Sequence, residues 1–294
     1  MSTIKRILVA TDFSKSAGFA LKRALQFSEK SKSPLAILHV FREGWLDRLI
    51  QKVSKNKNSQ FLELKRSAQK TFNQKIKPQF AKVKSKFVVK LGREDQEIVQ
   101  YAKDKKFDLM VVGAHGHYYF HEYFLGTTAE SIVKNALCPV LVVKKKPNFT
   151  YNKIIIPIDF SSASKQALQY ACNLFPNADI HVLHVEYLWY DQPSDLLYTK
   201  YRREGRLHKE LRDTLIGKMN NFIKQCDVND HQISTILRGG YPAMVIANEV
   251  NKKNFDLVII GTRGQTKLRY LLIGSVAERV LQEVATDIIA VPPR

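Results

Sequence analysis

The chain has 294 residues, 45% of them hydrophobic, and a formal net charge of +20. That length is enough for about two ordinary domains, each able to close its own core. Its three cysteines, Cys138, Cys172 and Cys226, form no CxxC pair and no Cys/His cluster, so neither a disulfide framework nor a metal site is indicated. Ile7 to Ala10 is too short for a secretory apolar region before Asp12 intervenes, and no run approaches a membrane span. The expectation is a soluble, cytoplasmic protein.

Taken in chain order, the first β-prone run is Ile4 to Ala10, and it ends in Thr11-Asp12-Phe13-Ser14. Ser14 stands where a helix cap is needed, and Ala17, Ala20, Leu21, Ala24 and Leu25 follow at helical spacing. Leu35 to Val40, ending in Leu-His-Val, reads as a buried second strand. Phe61, Leu64, Ala68, Phe72 and Ile76 then mark an amphipathic helix. Phe87 to Leu91 supplies a third strand, and Gly92 leads into another helix-like segment. Phe107 to Val112 is a fourth strand and Val140 to Val143 a fifth.

The same order repeats in the second half. Ile154 to Ile158 runs into Asp159-Phe160-Ser161, and Ala163, Ala167, Leu168 and Ala171 continue as a helix. Ile180 to Val185, again ending in Leu-His-Val, is followed by the helical stripe Leu207, Leu211, Leu215, Met219 and Ile223. Ile233 to Leu237, Gly240, Phe255 to Ile260 and Ile288 to Val291 complete the match. The polar stretch 144–150 separates the halves, giving domains at 1–146 and 152–294. Strands alternating with helices of this length call for right-handed crossovers, hence two tandem doubly wound α/β domains, each a mainly parallel sheet covered on both faces.

Each half carries the pattern Gly-x2-Gly-x9-Gly-[Ser/Thr], as Gly113, Gly116, Gly126 and Thr127 and, 148 positions on, as Gly261, Gly264, Gly274 and Ser275. A strand precedes it and a helix follows. Glycines there allow positive φ and close approach of backbone N–H groups, while the first turn of the helix presents unpaired amides toward an anion. Tight turns at the sheet edge are the alternative use for the same glycines. In an open sheet of this kind ligands bind beyond the carboxyl ends of the strands, where the first-strand Asp and the glycine loop can meet.

These residues resemble the universal stress protein family over essentially the whole chain. The resemblance rests on the Asp-Phe-Ser turn, Leu-His-Val, Phe-Asp-Leu before the fourth strand, and the glycine pattern followed by Ala129-Glu130 and Ala277-Glu278. It implies five-stranded parallel sheets of order 3-2-1-4-5, pairing of the domains through their last strands, and ATP, with or without magnesium, in members that keep the glycine motif. By that resemblance the turn Pro157, Ile158 and Asp159, with Val185, faces adenine and ribose. Gly261, Gly264, Gly274, Ser275 and Val276 hold phosphates, and Arg263 adds a cation beside them. The corresponding first-half set is Ala10, Thr11, Asp12, Val40, Gly113, Gly116, Gly126, Thr127 and Thr128. Ala10 there replaces the turn proline and Thr128 the valine, and the segment 117–124 holds five Phe and Tyr residues that could narrow the crevice or shape it for an apolar ligand. Asp287, where the first half has Pro139, alters the start of the last strand.

His39 and His184 lie inside strands and read as hydrogen-bonded core residues, whereas His115 and His117 flank a glycine where an anion would sit. No Ser-His-Asp order, metal-ligand cluster or Gly-x4-Gly-Lys-[Ser/Thr] loop is present, so no catalytic residues are assigned. From Lys52 to Lys90 twelve basic residues face one acid, Glu63. This is a solvated lysine face or a surface for polyanions. The leading expectation is a non-enzymatic, ATP-binding stress-response sensor. The alternatives are a polyanion or apolar-ligand binder with structural glycine loops, and a slow ATP hydrolase. Pairing of two chains is left open.

Overall fold

A computed structural model describes residues 4–42, 57–116, 125–148, 150–187, 209–228, 231–263 and 273–293. They fall into two compact units, one built from residues 3–148 and the other from 149–294.

In the first unit β1 (Ile7–Ala10) leads to α1 (Lys15–Ser31), β2 (Leu35–Phe41), α2 (Lys57–Thr71) and β3 (Ser85–Leu91), then to α3 (Glu94–Asp104), β4 (Leu109–Gly113), α4 (Thr127–Asn135) and β5 (Val140–Val143). The strands pair in parallel in the order β3-β2-β1-β4-β5. In the second, β6 (Lys153–Ile158), α5 (Ser162–Leu174), β7 (Asp179–Glu186), α6 (Lys209–Gln225), β8 (Ile233–Gly239), α7 (Pro242–Lys253), β9 (Leu257–Gly261), α8 (Ser275–Glu283) and β10 (Asp287–Val291) give the parallel order β8-β7-β6-β9-β10. Each is the 3-2-1-4-5 sheet.

The central strands are continuous apolar runs because helices cover both faces of each sheet. Ile7, Leu8, Val9, Ile154, Ile155 and Ile156 are wholly buried, each such side chain contributing roughly 1.5–3 kcal/mol. The helices bury one face only. α1 turns Ala17, Ala20, Leu21 and Ala24 inward, and α5 turns Ala163, Ala167, Leu168 and Ala171. The two first helices therefore follow the stripe read from sequence.

The helix read through Ile76 differs in its last turns. It is α-helical to Thr71, widens to a π turn over Phe72–Ile76 and tightens to a 3₁₀ turn over Lys77–Phe80. Pro78 lacks the N–H that would continue the ladder to Gln74, so the α-helix cannot run on. The wide turn still buries Phe72 and Ile76, and Phe72 stacks on Phe87 of β3 with centroids 4.4 Å apart and planes at 2°. In α6 the inward stripe is Leu215, Met219 and Phe222, whereas Leu211 is exposed; Leu207 lies outside the described residues. Positions 215, 219 and 222 follow the i, i+4, i+7 face; Leu211 shares that face by spacing but lies in the first turn of the described helix and is exposed.

Asp287 opens β10 opposite Leu257. It is 1% exposed and its Oδ2 accepts a hydrogen bond from the Tyr151 hydroxyl at 2.5 Å. The carboxylate that replaces the first half's Pro139 therefore continues the strand and is met by a donor, as a buried polar group must be.

Candidate functional site

The crevice of each unit begins with the turn after its first strand. Asp12 Oδ1 accepts from the Ser14 amide (2.9 Å), Thr11 Oγ1 from the Phe13 amide (3.1 Å) and Ser14 Oγ from the Ala17 amide (3.1 Å). In the second unit Asp159 Oδ1 accepts from the Ser161 amide and the Ser164 hydroxyl, both at 3.0 Å, and Ser161 Oγ caps the Ser164 amide at 3.2 Å. These local bonds hold Phe13 at φ 65° and Phe160 at φ 63°, a left-handed conformation that costs a bulky residue on the order of 1–3 kcal/mol. Two unrelated turns would not share that strain by accident; the backbone is fixed so that the Asp side chain stands at the sheet's carboxyl end.

The second strand completes the turn. His39 Nδ1 donates to the Thr11 carbonyl at 2.7 Å, with its ring 4.8 Å from Phe13. His184 Nδ1 donates to the Ile158 carbonyl at 3.0 Å, with its ring 4.5 Å from Phe160. Both are buried, the arrangement expected of hydrogen-bonded core histidines. Burial lowers the His39 pKa, offset in part by the Thr11 bond.

The glycines act differently from the sequence-based expectation. Among the described residues only Gly92 and Gly240 are glycines with positive φ, at 150° and 134°. Gly126 and Gly274 cap α4 and α8 at φ −68° and −63°, values any residue adopts. A side chain at the first motif glycine would instead collide with a helix. A Cβ on Gly113 would lie 2.7 Å from Ser16 Oγ and 2.8 Å from the Ser16 carbonyl carbon, and one on Gly261 would lie 2.8 Å from the Ala163 carbonyl carbon. Close approach of β4 and β9 to α1 and α5, rather than backbone handedness, is what these positions require. Gly116 faces Asp12, whose Oδ2 would be 3.1 Å from an added Cβ. Gly264 lies outside the described residues, as does the aromatic segment 117–124 with His117.

The loop then closes onto the strand it left. Gly126 N–H donates to the Ala114 carbonyl (2.7 Å) and Gly274 N–H to the Thr262 carbonyl (2.8 Å). The first intrahelical bonds run from Glu130 N–H to the Gly126 carbonyl and from Glu278 N–H to the Gly274 carbonyl. No side chain caps either helix. The amides of Thr127 and Thr128, and of Ser275 and Val276, have no intrahelical acceptor, as at any helix start, and Thr127 and Thr128 line the first unit's cavity. α1 and α5 begin at the same side of the sheet but are capped by Ser14 and Ser161. The starts of α3 and α7 also lack a side-chain cap, but α3 carries Glu94, Asp95 and Glu97 in its first turn and α7 opens on Pro242, which has no N–H to offer; the starts after the glycine loops have neither feature next to the loop glycine and suit an anion.

In the first unit Ala10, Thr11, Asp12, Val40, Gly113, Gly116, Gly126, Thr127 and Thr128 all line one cavity of about 840 Å³. Its other walls were not read from sequence. Leu64 and Ala68 of α2 and Ile98 of α3 form an apolar side edged by the hydroxyl residues Ser67 and Thr71, and Arg42 and Glu94 stand at the mouth. Arg42 Nε donates to both Glu94 carboxylate oxygens at 3.0 Å. The helical stripe announced that α2 is amphipathic, but which crevice it roofs depends on a crossover that periodicity does not record.

In the second unit Pro157 and Ile158 end β6 and pair with Leu183 and His184 of β7, next to Val185. Asp159 follows, Gly261 ends β9, and Gly274, Ser275 and Val276 begin α8. Arg263 is exposed beside the loop. At the corresponding strand end and helix start stand two tyrosines, Tyr187 after β7 where the first unit has Arg42 and Tyr241 before α7 where it has Arg93, with ring centroids 5.2 Å apart and planes at 89°. Among the described residues no three His, Cys, Asp or Glu side chains form a group able to hold a metal ion. Burial first pushes the thiols of Cys138 and Cys172 up to about 12 and that of Cys226 up to about 11, so none is a ready nucleophile. No helix among the described residues is long and apolar enough to cross a membrane.

Comparison with known proteins agrees with this geometry. A universal stress protein of Methanocaldococcus jannaschii is 29% identical over 157 residues, which cover 48% of this chain and 96% of the relative. A second from that organism is 32% identical over 143 residues, covering 48% of this chain and 82% of the relative. The crystal structure of a universal stress protein from Archaeoglobus fulgidus covers both chains completely, with a TM-score of 0.67 at 17% identity, a likeness of fold. The sequence profile of the universal stress protein family matches residues 3–144 and again 150–292. The chain therefore belongs to the universal stress protein family, as two tandem domains.

Proposed function

We propose that this chain is a nucleotide-binding stress-response protein that holds ATP, with or without magnesium, in the crevice of its second domain and signals by occupancy rather than by turnover. The observation that carries the reading is the uncapped start of α8 beside Gly274, set against the serine-capped start of α5. An ATP phosphate supplies the acceptors that Ser275 and Val276 amides otherwise lack, and the helix dipole adds to the attraction. Arg263 contributes a further positive charge. The strained Asp159 turn and Val185 form the opposite wall, suited to ribose and base. The first-domain cavity of about 840 Å³ gives the scale of such a crevice, within the range of small-molecule sites.

The test is calorimetric titration of nucleotide-stripped protein with ATP and magnesium, repeated on Gly126→Phe and Gly274→Phe. Both positions have backbone angles open to any residue, so a lost signal reports steric exclusion of the ligand; an unchanged thermal transition excludes unfolding. One equivalent bound, with at least about a hundredfold loss in Gly274→Phe only, is the expected result, a loss of more than about 2.7 kcal/mol. Loss only in Gly126→Phe would transfer the site to the first domain, and no binding by the parent protein would overturn the reading.

A further inference from the structure

The first domain carries a concentration of positive charge that its fold does not need. The two domains are an internal control, since their matching segments perform the same structural task in one chain. Residues 65–90 contain nine basic and no acidic residues; the matching residues 213–238 contain three of each. A lysine-rich composition in general would raise both.

The structure turns this charge outward. Lys65, Arg66 and Lys70 of α2 and Lys75 and Lys77 of the turns after it are exposed, and three more exposed lysines lead into β3. None of these eight forms an ion pair with a described residue. In the segment only Lys90 does, with Glu97 at 2.6 Å. Protecting a free sheet edge does not account for them. β8 occupies the same edge position as β3 in its own sheet, yet it has no lysine and its Arg238 is bound to Glu249 at 2.6 Å.

We infer that this face binds the phosphodiester backbone of double-stranded nucleic acid, without reading its sequence. Charge complementarity sets the class of partner: unpaired cations in number neutralise phosphates and release counterions. The burial pattern chooses among polyanions. Docking on an anionic membrane needs apolar anchors beside the cations, but Phe72, Ile76 and Phe80 are buried, no large apolar side chain of 65–90 is exposed, and Leu62 just before it stands alone. Single strands are held by stacking on exposed aromatic rings. The segment's aromatics are turned inward instead, Phe72 and Phe87 being stacked on each other. α2 is 15 residues long, about 22 Å, which matches roughly thirteen phosphates of a duplex.

The experiment is fluorescence anisotropy of the full chain, stripped of nucleotide, with labelled duplex DNA and duplex RNA of about 20 base pairs between about 50 and 200 mM salt. Binding to either duplex with a log–log salt slope between about −3 and −7, the latter set by eight cations at 0.9 each, supports the inference; a preference for one duplex assigns the source. Lys70→Gln/Lys75→Gln/Lys77→Gln is expected to lower the slope by about 2.7. Lys218→Gln/Lys224→Gln in the second domain is expected to leave it unchanged. All five lysines are exposed or partly exposed, and matching melting curves verify folding. Absence of binding at about 50 mM salt, an unaltered slope in the triple variant, or stronger association with phosphatidylserine vesicles than with either duplex would overturn it. The surface belongs to the first domain and the Gly274 crevice to the second, and the protein is tested free of nucleotide, so the two experiments succeed or fail independently.

Discussion

The two crevices of this universal stress protein share a backbone and differ at the mouth. In the first domain Arg42 and Glu94 meet as an ion pair; in the second Tyr187, at the place of Arg42, meets Tyr241, at the place of Arg93, edge to face. The floor is common to both: an Asp turn with a left-handed phenylalanine, a histidine bonded to the turn, and a strand-ending glycine pressed on a helix. What the duplicated chain conserves between its halves is thus the part set by close packing and backbone bonds. What it varies is the rim, where a charge pair or two rings can be exchanged without moving a strand.

The sharpest way to break this comparison is at the shared floor. Gly113→Ala and Gly261→Ala each drive a Cβ into helix atoms at 2.7–2.8 Å, and overpacking of this kind costs about 1–3 kcal/mol. In a domain of this size that lowers the melting temperature by roughly 2–4 °C per kcal/mol, measurable by calorimetry; equal and small losses at both would show that the strands can withdraw. A difference between the halves is tested next by Tyr151→Phe, which removes a donor from the buried Asp287 carboxylate and is expected to cost about 1–3 kcal/mol. Ser14→Ala and Ser161→Ala follow at about 1 kcal/mol each, matched in size if the capped helices are equivalent. At the rim, Arg42→Ala should cost less than about 1 kcal/mol, since Arg42 is 62% exposed in its pair. A larger loss would mean the mouth is part of the fold.

How much of this was legible in the sequence follows from the range of the interactions. The strands, the caps at Ser14 and Ser161 and the helical stripes of α1 and α5 depend on neighbours within a few residues, so periodicity exposed them. The nine first-domain site residues sit at strand ends and a helix start, which turn chemistry marks. The role of Gly113 and Gly261 was misread because local sequence shows that a side chain is absent but not whether handedness or a helix almost a hundred residues away excludes it. Arg42, Glu94 and the tyrosine pair were missed for a related reason: residues 42 and 94 become neighbours only through the order of the strands. The π turn after Thr71 had a visible signal in Pro78, overridden by the regular stripe Phe72 and Ile76 continue.

The smallest expected effect concerns His39 and has its sign fixed by burial. Desolvation lowers its pKa in the folded chain despite the Thr11 bond, while in the unfolded chain it titrates near about 6.5. Between those two values the unfolded state binds more protons, so stability rises with pH across that window. On acidification the loss therefore begins as pH falls through about 6.5 and levels off below the folded pKa. The readout must be local, because two domains need not unfold as one. Hydrogen exchange at the Thr11 amide, bonded to the Leu38 carbonyl at 2.9 Å, reports on the turn that His39 holds. After correction for intrinsic rates its protection should decline toward acid in the parent protein. In His39→Gln, which keeps a donor for the Thr11 carbonyl but cannot be protonated there, the decline should be shallower; equal slopes would mean that protonation of His39 does not govern the turn.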